Sequence, residues 1–112
     1  MATTFSNARQ IISEAITAME KAEDFATGQQ QLILLDIIQA LRMERRKIDI
    51  DGLASSNEPY TALTDDIKAA KRELDNLTEE IKSLVAAAEQ AAQVAGALAR
   101  LVQLAASIVV PS

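Results

Sequence analysis

Apolar and polar positions alternate along this chain with the period of helices, and they do so in three stretches. In the first, Phe5, Ala8, Ile12, Ala15, Ile16, Met19, Ala22 and Ala26 step by three and four onto one face. Arg9, Gln10, Ser13, Glu14, Thr17, Glu20, Lys21 and Asp24 fill the other, which is the pattern of an amphipathic helix. The register slips at Thr27-Gly28, because a continued helix would carry Asp36 onto the apolar seam. Gly28 is therefore expected to cap the first helix or mark a break in it. A second stretch follows, with Leu32 to Leu35, Ile37, Ile38, Ala40, Leu41 and Ile48 apolar. Its polar side of Asp36, Gln39 and Arg46 is thin, as in a helix with more than one neighbour.

The third stretch is the longest. From Tyr60 through Leu63, Ile67, Ala70, Leu74, Leu77, Ile81, Leu84, Ala88, Ala91, Ala95, Leu98, Val102 and Ala105 to Val109, apolar residues keep one heptad-like register. A single helix over about 59–109 would be roughly 75 Å long at 1.5 Å per residue. Its start is marked either by Asn57 and Glu58 before Pro59, or by Thr64 capping Asp65 and Asp66. Beyond Leu84 the apolar face widens to include Val85, Ala92, Val94, Ala99, Leu101, Ala106 and Ile108. Glu89, Gln93, Gly96, Arg100, Gln103 and Ser107 remain on one stripe facing water.

These elements predict an all-α chain, one helical domain over 1–112. Its expected form is an elongated antiparallel hairpin with arm one at about 4–48, a loop at about 49–58 and a long helix at about 59–109. A reversal near Leu53 sets Leu32 to Leu41 opposite Ile67 to Leu74, and the far C-terminus opposite residues 1–15. Each wide apolar stretch then faces a narrow one, so a strip is left for something else to cover. The expected interface is Leu34, Ile38, Leu41, Ala88, Ala91, Ala95, Leu98, Leu101, Val102, Ala105 and Ile108. It would be closed by a second copy, a homodimer for preference, or by another helical protein completing a bundle or coiled coil.

Composition narrows the chemistry. The 112 residues are 49% apolar and 3% aromatic, with no cysteine and no histidine. Thiolate nucleophiles, disulfides and the commonest general base and zinc ligand are absent from the sequence. A net charge of -5 and a pI near 4.6 disfavour nucleic-acid partners, which need a basic surface. MATTFSNARQ has no basic and apolar regions of a secretory leader, so the expected location is cytoplasmic. No catalytic site, no cofactor and no metal are expected, and the chain reads as a binding protein rather than an enzyme.

Three features invite sharper readings. KIDIDGLASSNE, from Lys47 to Glu58, resembles an EF-hand calcium loop: Asp49, Asp51, Gly52, Ser55 and Glu58 are correctly spaced, but Lys47 stands where the first ligand belongs. The same residues also make an ordinary turn, with Gly52 beside two Asp and with Ser55, Ser56 and Asn57 as local caps. The basic cluster Arg42, Arg45, Arg46 and Lys47 complements a helix C-terminus or meets an acidic partner. Finally, Val94 to Val110 holds one charge, Arg100, which makes residues 85–110 a candidate for membrane insertion and the alternative to a bundle helix.

Overall fold

The computed structural model describes residues 3–24, 28–73, 96, 100, 101, 103 and 104, with only the backbone of Ala22 and Gln30. Helix α1 spans Phe5–Glu23 and α2 spans Gln29–Ile50; a third helix, α3, opens at residue 65 and is described through 73. The arrangement is all-α, with α1 packed on α2 and α2 on α3. An isolated antiparallel bridge joins Thr4 to Pro59.

α1 forms where the period predicts it. Phe5, Ala8, Ile12, Ala15, Ile16 and Met19 are all buried, and Ala18 joins them. Its start is capped from two sides. Thr4 Oγ1 accepts from the Asn7 N–H at 3.2 Å. The Phe5 and Ser6 N–H groups donate to the carbonyls of Glu58 and Ser56 at 3.0 and 3.1 Å. The donors that any helix leaves over in its first turn are thus satisfied by residues about fifty positions away in the chain.

The first arm is two antiparallel helices. Arg9 pairs with Asp49, Arg45 donates to Ser13 and Arg42 pairs with Glu20, so α2 runs back along α1. Gly28 does not cap the end of α1 as the sequence suggested. It stands immediately before α2, at φ 62° and ψ -132°, a backbone that side chains with a Cβ rarely adopt. Leu34, Ile37, Ile38, Leu41 and Ile48 consequently meet α1 within one core.

At its far end α2 closes in a Schellman motif. The Leu53 N–H donates to the Ile48 carbonyl at 2.9 Å and the Gly52 N–H to the Asp49 carbonyl at 3.2 Å, with Gly52 at φ 72°. The chain then stays non-helical to Thr64, so the third helix begins six residues later than Pro59. Thr64 is the cap, its Oγ1 accepting from the Ile67 N–H at 3.2 Å. The expected α2–α3 register holds: Asp36, Ala40 and Met43 share a groove with Asp66, Ala70 and Glu73.

Besides the reversal expected near Leu53, the chain also reverses at the break near Gly28, so the first arm is itself a pair of packed helices. The principal extents are 37 × 30 × 25 Å. Leu101 and Leu104 are buried in the same core as α1 and α2, and Arg100 pairs with Glu14 at 3.1 Å. Gly96, Arg100 and Gln103 are exposed, as the polar stripe predicts.

Nothing lies within 4 Å of a Cβ built on Gly28 or Gly52, so replacing either by Ala has a conformational cost alone. Gly52→Ala is expected to lower stability by about 1 kcal/mol. Gly28→Ala should lower it by about 1–3 kcal/mol, its ψ being the less tolerant. Urea unfolding followed by circular dichroism reads both; equal midpoints for wild type and variants would contradict the assignment.

Candidate functional site

The polar centre of the fold is a residue that the hydrophobic pattern passes over. Glu44 follows Leu34, Ile37 and Leu41 at helical spacing and precedes Ile48, so it occupies the apolar stripe of α2 and is fully buried. Its carboxylate accepts from the Tyr60 hydroxyl at 2.6 Å, from the Leu63 and Thr64 N–H groups at 2.9 Å each, and from Thr64 Oγ1 at 2.9 Å. Two of these donors are backbone groups next to the start of α3, where the helix dipole also favours negative charge. Among the described residues no buried side-chain nitrogen or oxygen lacks a partner.

Tyr60 completes this node. Its ring meets Phe5 edge-on, with centroids 5.4 Å apart and planes at 74°. Its N–H donates to the Thr3 carbonyl at 2.7 Å. Burial and then the neighbouring Glu44 carboxylate push the phenol well above its ordinary ionisation range.

In the loop that resembles a calcium site, the two aspartates are engaged within the chain. Asp49 lies in α2 and takes a two-point contact from Arg9, Nε at 2.7 Å and Nη2 at 3.2 Å. The hydrogen bond from Arg9 holds the Asp49 carboxyl below its usual range. Asp51 pairs with Lys47 at 3.1 Å, and Ser56 Oγ accepts from the Glu58 N–H. The Ser56 and Glu58 carbonyls serve α1. These are the contacts of the turn reading, with the loop acting as a cap. Among the described residues no three acidic side chains gather as a metal site.

The basic cluster is likewise largely committed within the chain: Arg42 to Glu20, Arg45 to Ser13 and Lys47 to Asp51, while Arg46 is exposed. Other acidic side chains are engaged in the same way: Glu20 faces Arg42, Glu23 accepts from Gln31 and Asp65 lies 4.0 Å from Lys68.

The expected interface divides three ways. Leu34, Ile38, Leu41 and Leu101 are buried in the chain's own core, because the reversal before α2 brings α1 over them. They are corrected from partner-facing to core residues. Ala88, Ala91, Ala95, Leu98, Val102, Ala105 and Ile108 lie outside the described residues. Among the described residues, the large apolar side chains most open to solvent are Leu32, Leu35, Met43 and Ile50, 63%, 44%, 42% and 66% exposed, all on α2. Sequence reasoning counted Leu32 and Leu35 as apolar α2 residues but did not single them out. Most of residues 85–110 also falls outside the described set; within it, Leu101 and Leu104 face protein. Among the described residues no helix is long and apolar enough to cross a membrane.

No protein-family model, curated protein or solved structure matches this chain.

Removing the node should be expensive. Glu44→Ala is expected to lower stability by about 3–5 kcal/mol, since it strands buried donors. Tyr60→Phe should lower it by about 1.5–3 kcal/mol, one hydrogen bond to a charged group. A denaturation series that ranks Tyr60→Phe equal to Glu44→Ala contradicts this ordering.

The raised phenol pKa has a definite sign. Below about pH 10 both folded and unfolded chains keep the proton; above it only the unfolded chain releases it, so stability falls as pH rises, by up to about 1.4 kcal/mol per unit. Tyr60 is the sole tyrosine and there is no tryptophan, so tyrosinate absorbance reads it alone. Its ionisation should coincide with alkaline unfolding, and Tyr60→Phe should show a shallower alkaline loss. A tyrosinate signal appearing near pH 10 in the folded protein would contradict the burial.

Proposed function

We propose that the chain is a non-enzymatic protein–protein interaction module, and that the outer face of α2 is its contact surface. The reading covers self-association or completion of a helical bundle with a partner, of the adaptor, chaperone or accessory kind. The observation that carries it is the gathering of Leu32, Leu35, Met43 and Ile50 on one helix, open to water, in a chain whose other described large apolar side chains are buried or partly buried against the core. Leaving such groups exposed forgoes about 1.5–3 kcal/mol apiece relative to burial, and a face of this kind is where a second protein is recovered.

The polar chemistry supports the same reading. Glu44 and Tyr60 are held by structural partners, and Asp49 and Asp51 by cations of the same chain. Their hydrogen bonds position helices.

The double variant Leu32→Glu with Ile50→Glu tests the face without touching the core. It should stay folded, within about 0.5 kcal/mol of wild type, and should lose whatever association wild type shows by light scattering or by capture from native extract. Undiminished association in the variant, or a wild type that associates with nothing, sinks the proposal.

A further inference from the structure

The outer face of α2 reads the same in both directions. Leu32, Asp36, Gln39, Met43, Arg46 and Ile50 are all exposed and follow each other at intervals of four, three, four, three and four, the spacing of a coiled-coil seam. That series of intervals is unchanged on reversal. Set against an antiparallel copy of itself, with the two-fold axis level with Leu41, the stripe places Leu32 opposite Ile50, Gln39 opposite Met43, and Asp36 opposite Arg46. Leu32 with Ile50 is apolar on apolar and Asp36 with Arg46 is acid on base, while the uncharged Gln39 meets Met43 near the axis.

We infer that α2 pairs with α2 of a second copy of this chain, antiparallel, through this stripe. The occupant follows from the charges. An isologous contact requires residue i to meet j while j meets i, and Asp36 with Arg46 meets that condition twice per pair. A parallel alignment would set Asp36 on Asp36 and Arg46 on Arg46, bringing like charges together and aligning the two helix dipoles side by side, and both disfavour it. The charged pair selects orientation and register, and Leu32 with Ile50 at the two ends supplies apolar area over a span of roughly 27 Å. The inference rests on the reading of α2 as a contact face and names what covers it.

Charge exchange tests it with a rescue that only a second copy can give. Wild type should run as a dimer by light scattering at roughly 100 µM, where even a modest interface is populated. Asp36→Arg alone and Arg46→Asp alone should each weaken self-association by roughly tenfold or more, because like charges then meet twice. The doubly exchanged chain should recover it, and so should a mixture of the two single variants, whose charges match only in the mixed pair. Circular dichroism checks that each variant keeps its helices; all substitutions are at exposed positions.

Single variants that dimerise as well as wild type, or a mixture that stays monomeric, overturn the inference. A wild type that is monomeric yet retains a different protein through Leu32 and Ile50 overturns the second copy and leaves the interaction module standing. A monomer that retains nothing overturns both.

Discussion

A carboxylate in the middle of a small apolar core has to bring donors with it, and those donors fix what lies around it. Glu44 takes its four from a tyrosine hydroxyl, a threonine hydroxyl and two backbone N–H groups of the residues just before α3. One side chain of α2 therefore specifies where Tyr60 sits, where the non-helical segment ends and where the third helix begins. Apolar packing alone would tolerate a sliding of α3 along α2; directional bonds to a buried charge do not. Replacing Glu44 by an apolar side chain would remove the bonds that set this register.

The rest of the molecule hangs on the same corner. Tyr60 reaches Glu44 through its hydroxyl, Phe5 through its ring and Thr3 through its N–H. Next to it, the segment from Gly52 to Glu58 ends α2 and caps α1 with its carbonyls. A stretch whose acidic spacing invites a cation is thus occupied by two helix termini, and Arg9 and Lys47 supply the positive charge that Asp49 and Asp51 need. Its two aspartates are already paired within the fold.

Much of this was legible in the sequence, and what was not has a physical cause. The inward face of α1 and the buried residues of α2 follow from period, because burial is decided by which side of a helix a residue falls on. Thr64 as a cap was visible as the alternative to Pro59; the non-helical run in between was not, since Tyr60 and Leu63 keep the apolar spacing while pointing inward from extended backbone. The reversal before α2 was read only as a break. A break in register says that a helix stops, and the direction in which the chain leaves depends on contacts between distant residues such as Arg9 and Asp49. Misplacing it turned Leu34, Ile38 and Leu41 into interface residues. Glu44 had a sequence signal, a charge on the stripe between Leu41 and Ile48, but its meaning depends on donors sixteen to twenty residues further on.

The bonds joining Thr3, Phe5 and Ser6 to Ser56, Glu58 and Tyr60 close a ring of chain that contains both α1 and α2. Closing a ring of that length draws on loop-closure entropy before any contact repays it. The two helices can find each other first, since Arg42 and Glu20 are near neighbours by comparison. α1 has no acidic residue in its own first turn to help it start. Its N-terminal turn is therefore held by a remote segment of the same chain, and those holding bonds form only when the long ring closes.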